Sequence, residues 1–340
     1  MKIKRIGIDL AKKVFQIHAV NEQEEVVIRK SVNRSQLKKL LHNIEPTTIA
    51  MEACGTSHYW AREMMALGHN AKLIPPQFVK PYVKRHKNDS VDAEAICEAA
   101  SRPNMRYVTV KTVDQQVMQS IHRVRSRIVR SRTALINEIR GVLAEFGIVI
   151  DDLGVSAVRR KIPELLEDGD NQLPFVFREL LSELYEELLS TDKRLESMTK
   201  KIVQHGVVDE RVKRLQDLPG VGPITASAIV SSIGDGKQFK KSRDFSAWLG
   251  MVPNQHSSGG KNCLGSISKR GDSYLRTLLI HGARSCMKVV ERQPGRKSDW
   301  LKKLMGRRNK NIATVALANK HARIIWAMLT RNEHYCAGTM

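Results

Sequence analysis

Four carboxylates in the first 92 residues have the types and spacing that a metal-dependent phosphodiester reaction requires. Asp9 and Glu52 each lie at the end of a short apolar run. An acidic side chain at the end of a hydrophobic strand is costly to desolvate unless a cation or hydrogen bonds compensate it. Asp89 and Asp92 add an i, i+3 acidic pair at the start of a helix-like segment. The spacing predicts one shared divalent-cation site.

The predicted chemistry is an in-line displacement at a DNA phosphate. Two Mg2+ ions about 3.5–4 Å apart stabilise both the attacking and the leaving oxygen. Mg2+ prefers a few carboxylates plus water, and Mn2+ accepts the same hard oxygen ligands and can substitute. A simpler interpretation makes Asp89 a helix N-cap and Asp92 a first-turn acid favoured by the helix dipole. It accounts for that pair but not for Asp9 and Glu52.

The elements that must position these acids read as an α/β domain over residues 1–105. Three closely spaced strands are followed by helix, strand, helix, strand and helix, an order typical of a ribonuclease H-like (RuvC-like) domain. The predicted strands cover residues 4–10, 14–20, 26–32, 48–52 and 71–74. That fold carries its acidic residues on the first strand, the fourth strand and a later helix, where Asp9, Glu52 and the Asp89/Asp92 pair fall.

The charge of the chain indicates a polyanionic partner. Lys and Arg number 57 against 35 Asp and Glu, giving a net charge of +22, and nucleic acid is the economical explanation. Five widely spaced cysteines without a CxxC pair indicate neither disulfides nor zinc. Without an apolar leader or an apolar run of membrane-spanning length, the chain is predicted to be a cytoplasmic, nucleoid-associated protein with no membrane partner.

Residues 106–205 read as a helical middle domain. A long basic helix is predicted over residues 106–147, with an apolar stripe that includes Val117 and Val124. Its arginines fit either phosphate contacts or a solvated face. Residues 175–204 show a short heptad pattern, which fits a dimerising coiled coil and an intramolecular helical hairpin equally well. The apolar a positions of this pattern are Leu181, Leu188, Leu195 and Ile202.

Residues 206–340 read as a mainly helical domain with two distinctive loops. Gly220 and Gly222 bracket a tight turn between two helical runs, resembling a helix-hairpin-helix element whose backbone N–H groups can hold a phosphate. Ser257 and Ser258 lie in a polar Gly/Ser-rich loop, where a hydroxyl near cations can act as a nucleophile; a flexible linker is the alternative. The residues predicted to contact nucleic acid are Lys12, Arg123, Arg127, Arg130, Gly220, Gly222, Lys261, Lys269, Arg270 and Arg276.

The actin-like sugar kinases and chaperone ATPases are a rival class. The segment Gly-Ile-Asp-Leu at residues 7–10 suggests them, because such a segment also opens those proteins. Those proteins continue with small hydroxyl or glycine residues that wrap the ATP phosphates. This chain continues with Ala11-Lys12-Lys13 and shows no second Asp-x-Gly phosphate loop downstream. Kinase activity is therefore not predicted.

Six motifs in this order resemble the DEDD-type transposases of bacterial insertion sequences, a family that includes bridge-RNA-guided recombinases and is related to Piv-type invertases. The resemblance covers nearly the whole chain. In the N-terminal half it is carried by IGIDLAK at residues 6–12, MEACG at 51–55 and KNDSVDA at 87–93. In the C-terminal half it is carried by LPGVGP at 218–223, GMVP at 250–253, and SSGGK with ISKRG at 257–261 and 267–271.

The resemblance implies a RuvC-like catalytic domain, a helical and coiled-coil middle and a C-terminal transposase domain. It implies that Asp9, Glu52, Asp89 and Asp92 are the family's carboxylates and that Ser258, the serine directly before glycine, is its nucleophile in a composite site. It also implies donor and target DNA as partners, a noncoding guide RNA encoded by the element, and a homo-oligomer, either dimer or tetramer.

Two other functions fit the same residues. A RuvC-like endonuclease would hydrolyse DNA with metal-activated water and leave free ends without a covalent intermediate. A non-catalytic architectural protein would bind nucleic acid through phosphates alone, with an affinity that falls steeply with salt.

Overall fold

A five-stranded sheet organises the first of two units, Met1–Thr112 and Val113–Met340. The computed structural model describes residues 2–83, 89–152, 154–292 and 299–336, without the side chains of residues 89 and 90. The strands are β1 (Ile3–Leu10), β2 (Val14–Asn21), β3 (Val26–Asn33), β4 (Thr48–Glu52) and β5 (Asn70–Ile74). Their order is β3-β2-β1-β4-β5. The first three strands form an antiparallel meander, and β4 and β5 run parallel to β1. The predicted mixed α/β domain is confirmed.

Helices cover both faces of this sheet. They are α1 (Arg34–His42), α2 (Ser57–Ala66), α3 (Pro76–Val79), a 3-10 turn (Lys80–Tyr82) and α4 (Asp89–Ala100). On one face Ile6 and Ile8 pack with Trp60 in the main core. On the other face the small Ala50 packs with residues of α4 such as Ile96. Strand side chains alternate between the two faces of a sheet. The large residues of β1 and β4 therefore pack in the main core, and the small residues on the opposite face leave room for α4.

The segment before residue 113 is not helical, contrary to the helix predicted from residue 106. Val108 pairs with β5 instead, and its backbone N–H donates to the carbonyl of Leu73 over 2.7 Å. An unpaired strand edge leaves backbone donors and acceptors unsatisfied, so this extended segment satisfies part of the β5 edge. The long helix begins at Val113.

The second unit is mainly helical. It contains α5 (Val113–Glu145), α6 (Val155–Glu167), α7 (Phe175–Val208), α8 (Glu210–Leu215), α9 (Pro223–Ile233), α10 (Ser242–Trp248), β6 (Pro253–Gln255), β7 (Leu264–Ile267), α11 (Ser273–Arg292), α12 (Asp299–Arg307) and α13 (Lys310–Arg331). Its C-terminal helices share one large core. None of the helices in the described parts of the chain combines the length and apolar character that crossing a bilayer requires.

Helices α5 and α7 form an antiparallel hairpin within the chain. Arg132 pairs with Asp192 over 3.0 Å, and the Nε of Arg125 donates to Thr199 over 2.9 Å. The four apolar a positions of the heptad pattern are all buried in the single chain: Leu181, Leu188, Leu195 and Ile202. Their burial without a second copy favours the intramolecular hairpin over the dimerising coiled coil.

Candidate active site and nucleic-acid interface

Asp9 and Glu52 lie side by side on neighbouring parallel strands. Ile8 of β1 is paired with Met51 of β4, so the two acids form the next step of the same ladder. Neighbouring strands are about 4.8 Å apart, and residues in register point to the same face. Both acids are half-buried. The sheet therefore holds two carboxylates together at one edge of its hydrophobic core.

Helix α4 brings Asp92 to the same face because Gly7 has no side chain. A Cβ built on Gly7 would lie 2.3 Å from the carbonyl oxygen of Ala93 and 2.6 Å from the backbone nitrogen of Cys97. Gly7 and Asp9 are two residues apart on β1 and share a face. The contact therefore places the first turns of α4, including the half-buried Asp92, over the end of β1 that carries Asp9.

Arg5 makes a second attachment between β1 and α4, which sequence reasoning missed. Its Nε donates to the carbonyl of Cys97 over 3.0 Å, and its guanidinium also pairs with Glu24 in the β2–β3 turn. The hydrogen bond from Arg5 and a second from Lys4 lower the pKa of Glu24 to about 2. Sequence periodicity could have indicated this attachment, because Arg5, Gly7 and Asp9 are two residues apart on β1 and therefore point to the same face.

The pKa of Glu52 agrees with this placement of the three acids. Its pKa is raised, first by burial and then by the negative charges of Asp9 and Asp92. Each of these effects disfavours the ionised carboxylate. Elements far apart in the chain, β1, β4 and α4, thus bring three like charges into interaction range. Asp89 begins α4, but its side chain lies outside the described residues.

The donor set fits a divalent cation. Half-buried carboxylates supply the hard oxygen ligands that Mg2+ and Mn2+ prefer, and a cation would relieve the repulsion that raises the pKa of Glu52. Among the residues whose side chains are described, no group of three or more His, Cys, Asp or Glu side chains is already gathered closely enough to hold a metal ion. Gathering three carboxylates more tightly is costly until a cation offsets their repulsion.

Gly7→Ala is expected to destabilise the first unit by about 3 kcal/mol, because the new methyl group would overlap backbone atoms of α4. Urea unfolding of the full chain measures the change. Gly55→Ala is the matched control, since a Cβ at Gly55 meets nothing within 4 Å. Equal stability of the two variants would contradict the close contact between β1 and α4.

Ser257 and Ser258 lie at the tip of an ordered β-hairpin, not in a flexible linker. Strands β6 and β7 pair antiparallel, and the backbone N–H of Lys261 donates to the carbonyl of Ser258 over 3.1 Å. Gly259 and Gly260 have φ values of +55° and +79°, as a type I′ turn requires at both central positions. Ser258 and Lys261 are exposed at this turn, so the tip is accessible to a large substrate.

The base of the hairpin is held by close backbone packing. A Cβ on Gly271 would lie 1.8 Å from the carbonyl oxygen of Trp248. Lys269 adopts a left-handed φ of +52°, and its N–H donates to the carbonyl of Gly250 over 3.0 Å. Such a conformation costs a lysine free energy and persists only where surrounding contacts impose it. Lys269 is thereby displayed at the surface with a defined backbone conformation.

The cations predicted to contact nucleic acid differ in accessibility. Lys12, Lys261, Lys269 and Arg270 are exposed. Arg276 is half-buried and donates to the carbonyl of Leu249 over 3.0 Å, so its guanidinium also supports the fold around the hairpin.

Helix α5 displays one row of exposed arginines. Arg123, Arg127 and Arg130 are all exposed, and their spacing of four and three residues places them on one helical face. Arg125 and Arg132 are instead engaged with α7. These three arginines are therefore accessible on one side of α5.

The two glycines of the predicted hairpin turn have different environments. Gly220 has a φ of +85°, and a Cβ on Gly282 of α11 would lie 2.0 Å from its carbonyl oxygen. Gly220 therefore serves a close contact with α11. Gly222 is exposed at the N-cap of α9, where free N–H groups of a helix start favour an anion.

Comparisons with known proteins match the sequence of this chain in both halves. Residues 6–148 match a DEDD family model described as "Transposase", and residues 212–298 match one described as "Transposase IS116/IS110/IS902 family". The "Probable family 20 transposase" of Pseudomonas aeruginosa is 52% identical over 99% of this chain and 100% of its own length.

Two further relatives carry insertion-sequence names. The "Transposase for insertion sequence element IS1111A" of Coxiella burnetii is 46% identical over 99% of this chain and 92% of its own. The "Transposase for insertion sequence element IS1328" of Yersinia enterocolitica is 43% identical over 96% of both chains.

An α/β unit with carboxylates on adjacent strands and a crossing helix, joined to a helical transposase unit, defines a DEDD-type DNA transposase. The match extends over almost the full length of close relatives. The chain belongs to the IS110 family of insertion-sequence transposases.

Proposed function

We propose that this transposase cuts and rejoins DNA strands in a Mg2+-dependent reaction with Ser258 as nucleophile. The observation that carries the proposal is the placement of Asp9 and Glu52 on adjacent parallel strands with Asp92 on the helix packed against β1. Burial, and then the charges of the two aspartates, raise the pKa of Glu52. A folded protein tolerates such repulsion where function requires it. The exposed serine at the tip of an ordered hairpin supports the second part of the proposal.

The fold of the first unit supports a ribonuclease H-like, RuvC-like catalytic domain. An antiparallel meander is extended by two parallel strands in the order β3-β2-β1-β4-β5. The acids lie on the first strand, the fourth strand and a later helix, as that domain type requires. In the second unit, we propose that α8, the glycine turn and α9 act as a helix-hairpin-helix element, with Gly222 at an exposed helix start.

Asp9, Glu52, Asp89 and Asp92 are the residues that would hold the divalent cations. When bound, two Mg2+ ions supply positive charge that stabilises the developing charge on the attacking and leaving oxygens. The role of the carboxylates would be to bind these cations and to fix their position. Exposed cations such as Lys261, which follows the serine turn, would hold the DNA phosphates by charge-assisted hydrogen bonds.

The proposed transfer conserves the phosphodiester. The hydroxyl oxygen of Ser258 forms a bond to phosphorus as one P–O bond of the DNA breaks, and the serine proton passes to a base or to solvent. The released DNA oxygen takes up a proton and leaves as a hydroxyl. Rejoining reverses these events when a DNA hydroxyl attacks the phosphoserine, so no external energy source is needed.

We further propose that an element-encoded noncoding RNA supplies target choice and that a dimer or tetramer holds the donor and target duplexes. Nucleic-acid pairing would then read sequence while the protein reads backbone and shape. The resemblance to bridge-RNA-guided recombinases supports both statements.

A reaction reconstituted from purified components tests the proposal. Protein, its copurifying RNA, Mg2+, and donor and target plasmids are expected to yield recombinant junctions, detected by amplification across them. Removing the metal with a chelator or degrading the RNA with nuclease should each abolish the product, and adding back the missing component should restore it. Undiminished recombination after nuclease treatment would contradict RNA guidance, and undiminished recombination in chelator would contradict the metal requirement.

A further inference from the structure

The last two helices of the chain carry an unusually one-sided charge. Residues 299–332, which span both helices, contain eight Lys and Arg residues and one acid, Asp299 at the start of α12. The cations are Lys302, Lys303, Arg307, Arg308, Lys310, Lys320, Arg323 and Arg331. The segment extends beyond residue 298, where the match to the transposase family model ends. A surface with a single sign of charge repels itself unless a polyanion covers it.

Packing fixes which face of α12 carries these cations. Leu301 and Leu304 are buried in the core of the second unit, whereas Lys302, Lys303 and Arg307 are exposed. At about 100° per residue, Lys302 and Lys303 lie on the side of the helix opposite the leucines, and Arg307 lies on the flank next to Lys303. They are therefore displayed on an ordered helix anchored to the protein core.

Among the described residues, the exposed cations Lys302, Lys303 and Arg307 form no ion pair, not even with Asp299 at the start of the same helix. Within the parts of the chain that the structure describes, the ion pairs of this region are Lys310 with Glu291 and Arg331 with Glu333. Lys302, Lys303 and Arg307 take part in neither. Elsewhere in this unit, exposed lysines such as Lys161, Lys213 and Lys237 each pair with an acid close in sequence.

Gly306 leaves open space between the cations of this face. It lies within α12, is exposed, and a Cβ there would meet nothing within 4 Å. Glycine inside a helix is less favourable than alanine because it loses more backbone freedom on folding. Packing within the described protein does not require it. A glycine between cations allows a ligand backbone to come closer to the helix.

We propose that the face of α12 formed by Lys302, Lys303, Gly306 and Arg307 binds the phosphate backbone of duplex DNA without reading its sequence. Duplex DNA is the polyanion that a transposase must hold along its length, and cations that contact its phosphates release condensed counterions. This surface lies outside the residues that carry the proposed chemistry, so its function is separable from cleavage. It adds to the arginine row of α5 as a second contact region.

Salt dependence of DNA binding tests the proposal quantitatively. Binding of the full chain to a labelled random-sequence DNA duplex is measured in chelator, so that cleavage plays no part. The triple variant Lys302→Gln, Lys303→Gln, Arg307→Gln should lower the steepness of log K against log salt by roughly 2.7, at roughly 0.9 for each phosphate contact. At 0.1 M salt, each lost contact should weaken binding about eightfold.

The matched control removes the same charge from paired positions. Lys161→Gln, Lys213→Gln, Lys237→Gln lowers the net charge equally, but each of these lysines already has a carboxylate partner. The slope of log K against log salt should change in this control by less than the roughly 0.9 expected for one phosphate contact. Equal slope changes in the two triple variants would show that only net charge matters and would overturn the proposal. Loss of RNA affinity with unchanged DNA affinity in the α12 triple variant would overturn it as well.

Gly306→Leu separates binding from folding. Leucine is a better helix former than glycine and has open space here, so the melting temperature should stay equal or rise while DNA affinity falls several-fold. A variant that is at least as stable and binds duplex DNA as tightly as the wild type would exclude close approach of DNA to this face.

Discussion

Glu52→Gln should lower strand cleavage by about a thousandfold or more while DNA binding persists, because it removes a charged ligand from the proposed cation site and changes almost no volume. Cleavage of a supercoiled plasmid carrying the element ends in Mg2+ measures the loss. Glu98→Gln is the matched control. Glu98 lies on α4, the helix that carries Asp92, but it is exposed and paired with Arg102. This variant should cleave like the wild type. Full cleavage by Glu52→Gln would place the cleavage chemistry at a different site, and DNA binding without cleavage by the wild type would favour the architectural alternative.

The stability of Glu52→Gln distinguishes lost chemistry from lost folding. The folded-state pKa of Glu52 is raised, so its charged form opposes folding. In chelator, wild-type stability should fall as the pH rises through the window between the unfolded pKa of about 4.3 and the raised folded value, and the deficit should persist above it. Glutamine avoids the deficit. The variant should melt higher than the wild type at pH 7 and equally below the window.

Ser258→Ala should lower the yield of the covalent DNA–protein adduct by roughly a thousandfold or more, because alanine has no oxygen to attack phosphorus. The adduct is trapped by rapid denaturation on end-labelled DNA, and mass spectrometry of the peptide locates the phosphoserine.

Ser257→Ala is the adjacent control for this experiment and should retain the adduct. Its hydroxyl accepts a hydrogen bond from Gln255 over 2.9 Å, so a modest change in rate is compatible with loss of that contact. An adduct lost only in Ser257→Ala would move the nucleophile by one residue. Cleavage that continues in both variants and leaves free ends would favour the hydrolytic, RuvC-like endonuclease.

The order of strand and helix signals was sufficient to predict the α/β class, and Asp9 and Glu52 were predicted to share one cation site. Both acids end apolar runs, and parallel neighbours in register must share a face. The position of α4 was expected from the ribonuclease H-like order of elements and from the resemblance. The contact that fixes this position, between Gly7 and residues more than 80 positions away, was not predicted. Local periodicity carries no information about such a contact.

Two errors in the long helix have a clear physical origin. The predicted apolar stripe included Val117 and Val124, which are exposed, whereas Met118 and His122 are buried. His122 is satisfied by Tyr274 and Ser227, each at 3.1 Å. A buried histidine with tertiary partners cannot be distinguished from a surface histidine by hydrophobic periodicity, so the stripe was misplaced in the first turns of the helix. Farther along, Ile128, Leu135 and Ile139, which belong to the predicted stripe, are buried.

The serine hairpin shows a similar limit. Glycines at positions 259 and 260 are compatible with a flexible linker and with a type I′ turn. Pairing of β6 with β7 decides between them, and that pairing is held by contacts of Gly250 and Gly271 with backbone atoms distant in sequence.

Diffraction from crystals soaked in Mn2+ and recorded at the manganese absorption edge would locate the metal directly. We expect anomalous peaks between β1, β4 and α4, with carboxylate oxygens of Asp9, Glu52 and Asp92 at roughly 2.0–2.3 Å, and no such peaks in Glu52→Gln. Manganese bound elsewhere, or these three carboxylates neutralised by lysine or arginine side chains, would contradict the account.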